Sequence, residues 1–286
     1  ARLNTLAEFV PWASELSISA AGAIDSLRVG GKRWASPTNQ LAQLRYQTLD
    51  EDDLAEWRSK FLYENGSSVA RDYGKPNVSA AQPRHYLEPP NVASAWVRHD
   101  GASDSVVIVL ALRFRSELHL AYGAPEGGTV ELSFGKTEPR IEVRFDLFNK
   151  TATRMPEACF VSFNPLHGAS DSGWTMDSLG TMIAPQEVAD GAAKGLHGIE
   201  TGVRYAASRS ALAIGSPDAA LVRWGKPAPF PTPMITPVEL GGGASFVLWD
   251  NLYNTNYVLW WPFLRPHADI VFRFSVTLKA DDGEAL

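Results

Sequence analysis

The chain has 286 residues, of which 45% are hydrophobic and 20% charged, and a net charge of −6. Nine tryptophans, thirteen phenylalanines and eight tyrosines carry more apolar surface than a disordered chain holds, so a folded protein is expected. Basic runs are absent, which excludes a phosphate footprint for nucleic acid, and no run nears the roughly 18–20 apolar residues of a membrane-spanning helix.

From the N-terminus, "VGGK" (29–32) reads as the first clear turn. "TLDEDDLAEWRSKFLYEN" (48–65) is the best helix: Asp50 caps it, acidic residues fill its first turn, and Leu54, Trp57, Phe61 and Leu62 share a face. "DSVVIVLALRFRSELHL" (104–120) opens β-branched and then alternates, so it is expected as a strand, and "GAPEGG" (123–128) as the turn after it. "RIEVRFDLF" (140–148) sets Ile141, Val143, Phe145 and Leu147 against Glu142, Arg144 and Asp146. Cys159, the single cysteine, sits in the apolar run "EACFVSF" and reads as a small buried hydrophobe. "MDSLGTMIAPQEV" (176–188) is expected to hold a short helical turn. "WGKPAPFPTPMITP" (224–237) has five prolines, which remove the donors a central strand needs, so it is an extended connection. "LGGG" (240–243) is a turn, and "ADIVFRFSVTL" (268–278) alternates through Ile270, Phe272, Phe274 and Val276. Half-buried antiparallel strands without a compositional break predict one all-β domain over 1–286, a large sandwich. A (β/α) barrel needs alternating strands and helices over about 250 residues, and this chain shows almost none.

Four stretches invite chemistry. "NKTATRMPEACFVSFNP" (149–165) places Arg154 and Glu157 near strand ends, either paired with each other or with backbone, or reaching into a groove to hold hydroxyl and carboxylate groups. His197, between glycines in "GLHGIE", and His167, in "NPLHGAS", are loop histidines that read as solvent-facing or backbone-bonded, with acid/base work as the alternative. In "NLYNTNYVLWWPF" (251–263), Asn251, Asn254 and Asn256 offer amide donors and acceptors. Tyr253, Tyr257, Trp260 and Trp261 offer ring faces, the mixture that recognises sugars; the other reading is an Asn-rich turn with core aromatics. The six histidines show no metal-ligand spacing, and no G-x-S-x-G, P-loop or dinucleotide fingerprint occurs. No cofactor is therefore expected in this chain. N-x-S/T sequons at Asn65, Asn77 and Asn149 suggest glycosylation and a secreted or extracytoplasmic location.

The residues 251–263 resemble the N-x-W-x-T-N-[FY]-x-x-W signature of glycoside hydrolase family 38-like (α-mannosidase-like) proteins, in a branch known mostly as a domain of unknown function. Tyr253 stands where that pattern has tryptophan, and Asn254 where glycine is common. Residues 24–53, 72–77, 149–165, 173–199 and 218–231 fit the same branch in order, so the resemblance runs from about residue 12 to residue 278. It implies the β-supersandwich fold of galactose mutarotase-like proteins. It also implies that the zinc ligands and carboxylate nucleophile belong to an N-terminal barrel absent here. Zinc is then a cofactor of a parent enzyme's barrel, and carbohydrate and an N-terminal catalytic barrel, as chain or domain, are the implied partners. With alanine as residue 1, the chain is expected to be a fragment, a processed subunit or a stand-alone descendant. Three functions follow. The leading one is a carbohydrate-associated module that does not hydrolyse alone. The others are a metal-independent polysaccharide lyase or sugar epimerase using Glu157, His197, His167 and Tyr257, and a barrel-docking structural domain.

Overall fold

The computed structural model describes residues 6–61, 78–101, 104–166, 173–189, 195–207, 210–230, 237–252 and 268–280. Two large antiparallel sheets and one small one account for eighteen strands among them. The nine-stranded sheet runs, edge to edge, β12 (Thr181–Ile183), β11 (Trp174–Ser178), β14 (Gly202–Ala207), β15 (Ser210–Gly215), β18 (Ile270–Ala280), β9 (Arg140–Phe148), β8 (Gly127–Gly135), β7 (Ser105–Arg113) and β6 (Asn91–Asp100). The six-stranded sheet runs β13 (Leu196–Gly198), β16 (Leu221–Trp224), β17 (Ala244–Asn251), β10 (Glu157–Phe163), β4 (Gln43–Thr48) and β5 (Tyr86–Glu88). A three-stranded sheet is formed by β1 (Ala13–Ile18), β2 (Ile24–Val29) and β3 (Lys32–Ala35). Among the described residues the α-helices are α1 (Glu51–Phe61) and α2 (Ser116–Tyr122), with 3-10 turns at Leu6–Phe9 and Val78–Ala81.

Alternation explains where the core lies. In β9 the apolar set Ile141, Val143, Phe145 and Leu147 is buried while Glu142 and Arg144 are exposed, because successive side chains point to opposite faces. β18, paired to β9 from Ile270 to Thr277, turns Phe272, Phe274 and Val276 the same way. On the facing sheet β10 and β17 contribute Phe163 and Phe246, which meet Phe274 with ring centroids 5.5 and 5.2 Å away. Each such pair adds about 0.5–1.5 kcal/mol beyond area burial. β10 lies at the centre of its sheet and is buried along its whole length, which is why "EACFVSF" reads as continuous rather than alternating. Cys159 is fully buried in it, and that burial pushes its thiol well above the usual range.

Two expectations are corrected. Residues 104–120 are not one strand: β7 ends at Arg113, and Ser116–Tyr122 form α2, with Leu118 and Tyr122 buried at i, i+4 and Gly123 closing the helix at φ 76°. Residues 176–188 hold no helix. β11 and β12 make a hairpin there, turning at Leu179 and Gly180, both at positive φ. The expected helix at 48–65 is found as Glu51–Phe61, and residues 62–65 lie outside the described residues. Asp50 does cap it: Asp50 Oδ1 accepts from Asp53 N at 3.0 Å, and Asp53 Oδ2 accepts from Asp50 N at 2.9 Å, a reciprocal capping box.

Candidate functional site: a cleft between the first helix and the outer sheet face

β4 divides its side chains between two surfaces. Leu44 and Tyr46 enter the core, and Gln43, Arg45 and Gln47 face outward. The sheet registers extend that outer face through Ala158, Phe160 and Ser162 of β10, Ser245 and Val247 of β17, and Arg223 of β16. Phe160, Ala158 and Val247 form a second apolar cluster there, with Leu196 packed on it. Burial lowers the pKa of both Arg45 and Arg223; Glu239 opposes that shift at Arg223. Ser162 Oγ and Ser245 Oγ lie 2.8 Å apart, buried.

α1 lies against this face and leaves a cleft of about 250 Å³, whose walls include Gln47, Asp53, Glu56, Trp57, Arg223 and Phe230. Trp57 is buried and its ring sits 5.2 Å from that of Phe230. Asp53 is held by the helix cap and by His85, whose Nδ1 is 2.8 Å away, and Glu56 pairs with Lys60. Gln47 is 7% exposed, and its Oε1 has no hydrogen-bond partner among the described residues. Most buried polar atoms find a partner, so this oxygen marks a place where a donor fits.

The other face of the same sheet carries a buried ion pair. Glu157 is 1% exposed and Lys150 6%. Lys150 Nζ donates to Glu157 Oε1 at 2.5 Å and to Gly123 O at 3.2 Å. The Tyr46 hydroxyl donates to Glu157 Oε2 and lies 3.0 Å from Tyr122 O, and Trp249 Nε1 reaches Oε2 at 3.4 Å. Burial, then the Glu157 charge, drive the Tyr46 phenol far above its ordinary range. Asn251, the register partner of Glu157, donates from Nδ2 to Thr153 O at 2.8 Å and Met155 O at 3.3 Å, bracing the loop that carries Arg154.

The residues singled out in the sequence fall as follows. Glu157 and Asn251 come together at this brace, Glu157 bonded to Lys150. Arg154 is exposed on the braced loop. His197 lies in β13, half-buried; its Nε2 accepts from Gly195 N at 3.2 Å, and burial, then the Arg223 charge, hold it below the ordinary histidine value. Asn149 is exposed at φ 55°, its Nδ2 donating to Glu126 Oε2 at 3.0 Å. Asn65, Asn77, His167, Tyr253, Asn254, Asn256, Tyr257, Trp260 and Trp261 lie outside the described residues. Among the described residues no three His, Cys, Asp or Glu side chains converge to hold a metal ion. Sequence reasoning passed over Gln47, Arg223 and Lys150. The alternation in "QLRYQT" (43–48), with an amide or guanidinium at every second position, was the signal for the first of these.

The sheets define a galactose mutarotase-like β-supersandwich, and the comparisons agree. Residues 9–142 match the family model described as Domain of unknown function (DUF5054). An α-mannosidase from Enterococcus faecalis V583 superposes with a TM-score of 0.57 at 10% identity, over 99% of this chain and 30% of that one. A glycosyl hydrolase family 38 protein from Enterococcus faecalis gives 0.54 at 9% identity, over 99% and 31%. A galactose mutarotase-like protein from Clostridium acetobutylicum gives 0.50 at 10% identity, covering 95% of this chain and 94% of that one. The chain thus spans about a third of the two glycosidase-type structures it resembles. No curated protein matches the sequence.

Proposed function

We propose that this chain is a carbohydrate-associated β-supersandwich module of a glycoside hydrolase-like protein, without complete hydrolytic machinery of its own. The likeness of 99% of the chain to 30% of an α-mannosidase carries the reading. That likeness covers a part of the larger structure, and at 10% identity it speaks for the fold, so activity belongs to the proposal. Aryl α-glycosides with added zinc, and a glycan panel, test it. Glycan binding without turnover is expected. Zinc-dependent hydrolysis by the 286-residue chain would overturn the non-hydrolytic part, and a blank glycan panel the carbohydrate part. An acid/base reading through Glu157 lacks comparable support, because that carboxylate is enclosed in the ion pair with Lys150.

A docking role alongside a catalytic barrel is favoured by one observation. β6, ten residues long, lies at a sheet edge with Trp96 55% and Val97 41% exposed, a surface of the kind that recruits partners. Native mass spectra of the protein from its natural source check this. A copurifying chain of roughly 40 kDa, the scale of such a barrel, is expected, and a lone 31.2 kDa species would refute it. Secretion is proposed on the exposed Asn149 sequon; its test is a glycan mass on Asn149 after passage through a secretory host.

A further inference from the structure

We infer that the cleft under α1 is a subsite for one neutral pyranose ring, with Gln47 Oε1 accepting a hydrogen bond from a ring hydroxyl. The inference rests on the carbohydrate reading above and adds to it a place and a chemistry.

Size, charge and polarity each narrow the ligand. A cleft of about 250 Å³ falls below the about 300–1,000 Å³ of pockets that take drug-sized molecules, so it suits a single ring. Its acidic groups are already engaged: Asp53 holds the Asp50 amide and faces His85, and Glu56 is paired with Lys60. Arg223 feels the opposite charge of Glu239. An anionic ligand would bring a further negative charge beside Asp53 and Glu56 and would have to compete for cations already engaged. Among the acceptors lining the cleft, Gln47 Oε1 is the one without a donor among the described residues, on a side chain 7% exposed. A buried acceptor without a donor is costly, and a hydroxyl supplies the donor where a carboxylate has none. Across the cleft, Phe230, half-buried and backed by the buried Trp57 ring 5.2 Å away, supplies apolar surface for the C–H face of a pyranose.

The test titrates the wild-type chain and Gln47→Leu with methyl α-D-mannoside, methyl β-D-galactoside and D-glucuronate, read by ligand-observed NMR and by the Trp57 indole N–H resonance. Removing the acceptor should weaken the neutral glycosides about tenfold. The melting temperature of Gln47→Leu should not fall, since the unpaired oxygen is gone. The Trp57 signal, read in the wild type and so independent of any folding defect, should shift with the neutral glycosides. If neutral sugars bind with Trp57 unmoved or with Gln47→Leu unaffected, the site is wrong and the carbohydrate reading survives. Preference for glucuronate overturns the neutral-ring assignment. If these ligands and the glycan panel all fail to bind, both readings fall together.

Discussion

Replacing Glu157 by glutamine is the sharpest probe of how this fold is held. The substitution keeps the shape and an acceptor for the Tyr46 hydroxyl, and removes one charge from a pair whose members are 1% and 6% exposed. Lys150 then loses its carboxylate partner at 2.5 Å and keeps, among the contacts described, the carbonyls of Gly123 at 3.2 Å and Thr151 at 3.4 Å and the Trp249 ring at 5.5 Å from its nitrogen. An ammonium buried without its counter-charge costs about 3–5 kcal/mol. Against a total stability of about 5–15 kcal/mol that is a large fraction. At about 2–4 °C per kcal/mol for a chain of this size, the melting temperature should drop by about 6–20 °C. Urea unfolding should show a lower midpoint at an unchanged slope. Removing both charges, as Lys150→Met with Glu157→Gln, should recover more than half of the loss, because a buried pair contributes little net over a neutral replacement. A single substitution costing under about 1 kcal/mol, or a double variant showing additive losses, would refute the buried-pair argument. A general base behaves in the opposite way: Glu157→Gln would stay as stable as the wild type and lose only turnover.

Other perturbations follow from single positions. Gly123→Ala should destabilise by more than about 1 kcal/mol, since Gly123 has φ 76° and an added Cβ would sit 2.4 Å from Thr151 O; a melt unchanged from wild type would contradict that geometry. Asp50→Ala removes the cap of α1 and should cost about 1 kcal/mol, while Asp50→Asn retains most of it. Trp57 fluorescence during urea unfolding reports the difference, and equal losses in both variants would argue against the capping box. His197 sets a pH dependence. Its folded pKa lies below the ordinary histidine value of about 6.5, so the unfolded chain binds a proton that the folded chain resists. Stability is therefore full above about pH 6.5, falls as the pH drops from there toward the folded value, and levels below it. His197→Gln should flatten that part of the melting profile, and an unaltered slope in the variant would sink the assignment.

Much of the architecture was legible because its strands are half-buried. β9 and β18 wrote their faces into the alternation of 140–148 and 268–278, and Asp50, ahead of an acidic first turn, announced α1. α2 was hidden because "RFRSELHL" alternates well enough to prolong β7, while the helical pair Leu118 and Tyr122 is only one turn long. Gly123 read as the start of a turn and is the residue that ends that helix. The partner of Glu157 was hidden for a different reason. Arg154 is nearer in sequence, but Lys150, seven residues back, is brought inward at Asn149, whose φ of 55° marks a one-residue shift of register: Leu147 faces Ile270, and Lys150 N donates to Ala268 O. Local spacing does not encode such a shift, and which side chains turn inward depends on it.

The same six residues of β4 divide their polar groups between the two faces of one sheet, paired on the core side and open under α1. Tyr46 points inward and donates to Glu157, so at this position the inner face closes Tyr46, Glu157 and Lys150 against one another in a network that leaves little for a ligand to use. Gln47, the next residue, points outward into the cleft with Oε1 unbonded, and Arg45 on the same face is desolvated. A strand that served packing alone would satisfy or replace such groups, since each unpaired buried acceptor costs about 1–3 kcal/mol. That β4 completes its hydrogen bonding on the core side and leaves it open under α1 is the physical reason to look for the ligand at Gln47 and Trp57, and to treat Glu157 as part of the frame.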